Sequence, residues 1–382
     1  MVKITIFSII AIVFLFTTDK LSASSIPQIS GGGYHTLTLK SDGTVWSWGR
    51  NNFGQLGTGK RTKKNSPIPV KNLEDIVAIA AGTWHSMALK SDGTVWTWGL
   101  NNYGQLGDGT FKNRKTPVQV KDLTDIIAIA GGYLHSLALR SDGSVWAWGS
   151  NWSGQLGNEA IVGESEVPIQ VNSLSNISAI ACGGDHSLAI RSSDDTIWAW
   201  GNNYYGQLGN GLDTNSTAPV LVNGLSNVSK IQGGYIHTLA LVSGGNVWTW
   251  GNNRYGQLGD GSTIEEKRTP VQVVNVTNII NIATRGWHNL ALNTEGKVFS
   301  WGNNSNGQLG DGTRSERNIH VNVEGLEDII DIGSGWQHSL ALKSDGTVWT
   351  WGDNRFGQLG DETNKDRKKP IQIKNLDVNT MP

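Results

Sequence analysis

The sequence predicts an all-β chain that closes into a seven-bladed β-propeller of four-stranded antiparallel blades. Three observations carry that prediction. The dipeptide "WG" recurs at Trp48, Trp98, Trp148, Trp200, Trp250, Trp301 and Trp351, in steps of 50 to 52 residues. A histidine keeps step with it at His35, His85, His135, His186, His237, His288 and His338, and only His320 falls outside the series. The segments between turns alternate with period two, and no repeat contains a helical stretch. A unit of about 50 residues present seven times signals a solenoid, a propeller or an array. Ring closure protects the edges that four-stranded units would otherwise expose.

The second repeat shows each element in order. "IVAIA" reads as the first strand, "HSMALK" as the second, "TVWTWG" as the third and "PVQV" as the fourth. "SDG" joins the second to the third, with Gly93 able to take a positive φ at little cost. Along the second strand His85, Met87 and Leu89 point one way, and Ser86 and Ala88 the other. Trp96 and Trp98 share one face of the third strand, and both are expected in the core. Bulky faces against small faces suit sheets stacked side by side. "WGLNNYGQLGDG" then leaves the third strand. Its glycines, Gly104, Gly107 and Gly109, permit a sharp outward path. A phosphate cradle would need a following helix or a P-loop lysine, and neither is present.

Composition agrees. The 382 residues include 49 glycines, nine prolines and seventeen tryptophans, with 37% apolar and 16% charged residues. That is a turn-rich, aromatic-rich β composition rather than a disordered one. The net charge of −1 gives no general pull toward nucleic acid or an anionic membrane. A single cysteine, Cys182, excludes an intrachain disulfide and a cysteine zinc site. It reads as a small buried apolar residue.

The N-terminus differs from the repeats. Lys3, an apolar run from Ile4 to Phe16 and a polar stretch holding Ala23 have the order of a secretory signal. The run is too short to span a bilayer of about 30 Å. The expectation is a leader at residues 1–23, cleavage near Ala23, and one propeller domain at 24–382. The mature chain is then secreted or periplasmic, not inserted in a membrane, and a monomer.

"AGTWHSMALKSDGTVWTWGLNNYGQLGDGT" and its six siblings resemble the regulator of chromosome condensation repeat, over nearly the whole mature chain. The resemblance implies a seven-bladed propeller. The family's founding member is a nuclear exchange factor for a small GTPase and carries a wedge-like β-hairpin insertion. No step here exceeds 52 residues, which leaves no room for it. Secreted bacterial propellers of the family bind other proteins, one of them β-lactamases. A plant ultraviolet photoreceptor of the family stacks tryptophans, and "RGWHN" and "GWQHS" faintly resemble its motif. The resemblance implies a binding propeller that takes a protein or a surface polysaccharide. Guanine-nucleotide exchange is the alternative.

Candidate binding residues lie where the repeats differ. The two positions before each histidine vary freely, and six of the seven pairs offer an aromatic: Tyr34, Trp84, Tyr133, Tyr235, Trp287 and Trp336. Asp185 stands in the seventh. In an up-and-down sheet these loops ring one mouth of the central channel. Exposed aromatics set among polar groups suit binding, and packing on one another is the other reading. The third connections are basic in repeats seven, one and two, with Lys63, Lys64, Lys112 and Arg114 among them. They are acidic in repeat three, at Glu159, Glu164 and Glu166. No catalytic constellation, metal site or cofactor is expected. The seven histidines recur beside serine or threonine and read as structural hydrogen-bonding groups. Six Asn-x-Ser/Thr sequons occur, at Asn151, Asn176, Asn215, Asn227, Asn275 and Asn303.

Overall fold

The computed structural model describes residues 25–379. The leader expected at residues 1–23 and its cleavage point lie outside them. Within the described residues 28 strands form seven four-stranded antiparallel sheets, one per repeat, each in chain order. The blades occupy residues 28–69, 76–119, 126–170, 177–221, 228–272, 279–322 and 329–377. Each first strand lies beside the first strand of the next blade. That of blade 7 lies beside that of blade 1, so the sheets close into a propeller with first strands around the axis.

The strands follow the expected pattern except at the periphery. The fourth strand of blade 2 runs from Arg114 to Gln119, beginning before "PVQV". Gly99, at φ 112°, lets the chain bulge there, so that Arg114 pairs with Gly99. Blade 1 does the same at Gly49, which pairs with Lys64. Arg114 and Lys64 therefore belong to outer strands, not to connecting loops.

Apolar packing holds blade to blade. Leu37, Leu39 and Val45 of blade 1 form one buried cluster with Ile76, Ile79, Ala88 and Trp98 of blade 2. Met87, Leu89 and Val95 of blade 2 meet Ile126, Ala138 and Trp148 of blade 3 in the same way. Closure uses this joint too: Leu340, Leu342 and Val348 of blade 7 enclose Ile29 and Trp48 of blade 1. No strand crosses the seam, as the complete first and last blades imply.

A polar joint accompanies it. The carbonyl oxygen of Gln55 in blade 1 accepts from Trp98 Nε1 at 2.9 Å and from Ser86 Oγ at 2.8 Å, both in blade 2. Ser86 has given away its one proton, so it accepts from His35 Nε2 of blade 1, at 2.9 Å. The same triad recurs around the ring. It closes with His338 on Thr36 at 3.1 Å, and with Trp48 and Thr36 on the Gln358 carbonyl at 2.8 and 2.9 Å. Blades 4 and 5 use Thr238 and Asn289 as the partners of His186 and His237. The histidines tie neighbouring blades together rather than their own turns.

The glycine motif is the third joint. A Cβ on Gly104 would stand 2.6 Å from Glu166 Cα of the next blade, and one on Gly107 would stand 2.8 Å from Trp148 Nε1. Both glycines have positive φ, 77° and 67°. The amide of Gly109 then donates to the Glu166 carbonyl at 2.9 Å. "GQLGDG" is thus a clasp on the following blade, and at the closing seam Glu362 N reaches Asn65 O at 2.8 Å.

The tryptophan pair divides. Trp98 is fully buried at the seam, whereas Trp96 is half-buried, with the Lys90 ammonium 5.5 Å from its ring centroid. It is not a core residue of the same kind. The inner tryptophan faces the neighbouring blade's clasp, while the outer one lies near the blade's edge under a lysine. Trp98→Ala should cost about 3 to 5 kcal/mol of stability by leaving a cavity and removing one of the two hydrogen bonds to the Gln55 carbonyl. Trp96→Ala should cost about 1 to 2 kcal/mol. Urea unfolding of the two variants checks the ordering, and equal losses would contradict it.

Candidate functional site

The loops between first and second strands gather at one mouth of the channel. Each is fixed from below by its buried histidine and by a hydrogen bond to the third connection, such as Arg50 N to Tyr34 O at 2.8 Å. The two variable positions before the histidine separate into two layers. Tyr133, Tyr235 and Trp336 stand two residues before their histidines and meet over the axis. Tyr133 stacks on Trp336 with centroids 5.8 Å apart at 11°, and Tyr235 meets the edge of Trp336 at 5.5 Å. Tyr34, Trp84 and Trp287 stand one residue before theirs and surround that plug. Each approaches Trp336 to between 5.5 and 5.8 Å. Trp336 therefore touches all five of its aromatic companions.

The rings pack on one another, yet all six remain half-exposed. The outer three also meet aromatics of the third connections: Tyr34 meets Phe356, Trp84 meets Phe53, and Trp287 meets Tyr255. The Arg50 guanidinium lies 4.9 Å from the Trp84 centroid and 4.7 Å from that of Phe356. Arg355, held by Asp353 at 3.0 Å, lies 5.8 Å from Tyr34. A cation over an aromatic face adds about 0.5 to 2 kcal/mol. Arg50 and Arg355 escaped the sequence reading, although Arg50 directly follows the "WG" of repeat one and Arg355 stands three residues after that of repeat seven.

Beneath the plug, Arg285 reaches from blade 6 across the channel. Its Nη1 and Nη2 donate to the Gly131 carbonyl of blade 3 at 3.1 and 2.9 Å. Burial pulls it down to about 10. It stands where the other six repeats carry glycine at 32, 82, 132, 183, 234 and 335, a departure visible in the sequence. Lower in the channel Lys230 donates to Asn281, which donates to Asp331 at 2.9 Å. Burial lowers Lys230 and raises Asp331.

Asp185 occupies the seventh loop. Gln155 Nε2 approaches its carboxylate at 3.4 Å, and burial pushes it up to about 6. Of the basic residues, Lys63, Lys64 and Lys112 are exposed at the outer edge of this end. Arg114 is bound to Asp108 at 2.6 Å and is a clip for its own loop. Arg317 on Asp311 and Arg367 on Asp361 repeat that clip. Arg114 thus leaves the set of free basic groups.

The seven ring histidines are spent on interblade bonds, with Nδ1 facing no hydrogen-bond partner. Among the described residues no group of three His, Cys, Asp or Glu side chains could hold a metal ion. Cys182 is buried, and its surroundings raise its thiol pKa. Asn151 and Asn303 are buried, so two of the six sequons are closed to modification in the folded chain.

Comparison with known proteins places this geometry. The sequence profile of the RCC1-like domain matches residues 15–321, and the regulator of chromosome condensation (RCC1) repeat matches residues 329–358 and 345–381. The chain is 30% identical over 289 residues to the human E3 ubiquitin-protein ligase HERC2, covering 75% of this chain and 5% of that protein. It is 34% identical over 160 residues to the Ultraviolet-B receptor UVR8 of Arabidopsis thaliana, covering 40% of this chain and 36% of the receptor. The chain thus aligns with only part of these relatives' length. Human WBSCR16 superposes with a TM-score of 0.79 at 25% identity, covering 89% of this chain and 94% of that one. Prp20p of Saccharomyces cerevisiae gives 0.76 at 25% identity, with 87% and 86% covered. Matched from its early residues through its last blade, the chain belongs to the RCC1-like domain family.

Proposed function

We propose that this chain is an exported, non-enzymatic binding propeller that recognises a protein or a surface polysaccharide through its aromatic mouth. One observation carries the reading. Six aromatic side chains from six different loops converge at one end of the channel and stay half-exposed, backed by cations. Rigid aromatics that can be desolvated supply most of the affinity at interfaces. Prp20p was solved together with its binding properties to Gsp1p and histones, which supports protein recognition by a propeller of this family. Exchange on a small GTPase finds less support. All 28 strands belong to blades, and no extra hairpin projects among the described residues. Export rests on residues 1–23, and N-terminal sequencing of the exported protein should begin near Ser24.

The binding test uses the chain from Ser24 as bait to capture its target. Trp84→Ala and Trp287→Ala should then weaken the identified complex by about 1 to 4 kcal/mol while the chain still unfolds cooperatively, at a modestly lower thermal midpoint. Neutralising Lys63, Lys64 and Lys112 should act mainly on association at low salt. Full affinity in both tryptophan variants would place the contact on another surface.

A further inference from the structure

We infer that the pocket between blades 4 and 5, at the edge of the aromatic mouth, receives a lysine or arginine side chain of a protein partner. The inference rests on the reading of this mouth as the binding face and names the chemistry of one subsite in it.

The pocket is a cavity of about 310 Å³ bounded by Asp185, Asn202, Tyr204, Tyr205, Gln207 and Tyr235. That space suits the end of one side chain. Asp185 takes the place that Trp84 and Trp287 hold in their own loops, so a carboxylate replaces an aromatic at this point of the ring. Among the described residues no cationic side chain borders the cavity. A half-buried carboxylate without a cation is costly unless a ligand supplies one.

The charge of the lining favours a cation over a neutral polyol. Gln207 Nε2 is spent on Asn202 Oδ1 at 2.5 Å, and Gln207 Oε1 accepts from Tyr205 N at 2.9 Å. Asn202 Nδ2 points to Ser153 Oγ at 3.4 Å. Each of these amides keeps a second N–H and the tyrosine hydroxyls can donate, so what distinguishes the lining is the Asp185 carboxylate set beside tyrosine rings and Ile236. Tyr204 meets Tyr205 edge-on at 4.9 Å and is 69% exposed, leaving ring surface free. An ammonium or guanidinium only donates, and it is attracted to ring faces. The adjoining blade 3 contributes exposed Glu159 and Glu164, a field that favours a basic partner.

The pocket also has a defined pH response. Asp185 is pushed up to about 6 by burial. Facing it are Gln155 from blade 3, Asn202, Tyr204, Tyr205 and Gln207 from the third connection of blade 4, and Tyr235 from blade 5. Tyr235 is pushed up to about 12 by burial and by Asp185 itself. The neighbouring His186 is held down to about 3 by burial, so it is neutral in this interval. Cation binding therefore requires ionised Asp185 and falls away as pH drops through about 6.

The experiment titrates the chain from Ser24, carrying fluorotyrosine, with three probes followed by fluorine NMR. These are Nα-acetyl-lysine amide, its neutral Nε-acetylated form, and maltose. The cationic probe should saturate with a Kd of about millimolar order, as expected for one such contact. Asp185→Asn should weaken it at least about tenfold, and binding to the unsubstituted chain should fall by about half from pH 7.5 to pH 6, with tryptophan fluorescence confirming that the ring stays folded over that range. Tyr204→Ala, which truncates an exposed ring, should weaken it several-fold and serves if Asp185→Asn does not fold. Equal binding of the neutral probe or of maltose would overturn the inference, as would an unaltered Asp185→Asn or no saturation by the lysine probe. A target complex that needs Trp84 and Trp287 but not Asp185 would overturn the pocket and leave the mouth standing. Lysine-probe binding alongside a target indifferent to both tryptophans would do the reverse.

Discussion

Acidification from pH 7 to pH 5 is expected to unfold the ring in one steep step. In the folded chain burial holds His35, His135, His186, His288 and His338 down to about 3 and His237 to about 4, and it drives His85 down as well. Each Nε2 proton is committed to a neighbouring blade, and Nδ1 has no acceptor to receive a second proton. In the unfolded chain the same histidines titrate near 6.5. The unfolded state therefore binds more protons throughout the interval below about 6.5. Stability falls as pH falls, by about 1.4 kcal/mol per unit for each histidine. Seven histidines over roughly 1.5 units lose on the order of 10 kcal/mol, comparable to the whole stability of a typical domain, about 5 to 15 kcal/mol. Asp185 and Asp331, both raised by burial, act with the opposite sign and offset a minor part. Urea midpoints followed by tryptophan fluorescence at pH 7, 6 and 5 measure the slope. His338→Gln should make it shallower by about one proton. An unchanged midpoint between pH 7 and 5 would show that the histidines are not held neutral by the fold.

Removing blade 7, by ending the chain before Ile329, is expected to abolish cooperative folding. Two seams are lost at once. One bares Ile29 and Trp48 of blade 1, and the other bares Leu290, Leu292 and Val298 of blade 6. The bonds from Trp48 and Thr36 to the Gln358 carbonyl and from His288 to Ser339 disappear with them. Nearest-neighbour interfaces supply much of a repeat protein's stability, and six blades spaced for seven cannot meet across the gap. Size-exclusion chromatography should show aggregates, and calorimetry no sharp transition. A soluble six-repeat fragment that melts cooperatively would contradict the role given to closure.

Much of this molecule was determined by its sequence. Seven copies of one pattern fix seven like sheets, because each copy carries the same alternation, the same turn and the same glycine spacing. Position in the repeat also placed the variable aromatics at one mouth, since strand connections alternate between the ends of an up-and-down sheet. The partners of the repeated groups were decided by tertiary structure alone. A histidine's spacing does not tell whether it bonds its own turn or Ser86 of the next blade. Nor does "GQLG" show that Gly107 lies beneath Trp148, because both relations cross a seam between neighbouring blades. The same holds where repeats depart from the pattern. Arg285 at a glycine position reads as an exception, but its reach to Gly131 depends on the width of the channel. Arg114 reads as a free surface charge until the bulge at Gly99 brings it to Asp108. Local pattern is set by a residue's neighbours in the chain, whereas burial, the interblade hydrogen bonds and the geometry of the mouth are set by residues 31 or more positions away, which meet only when the blades pack.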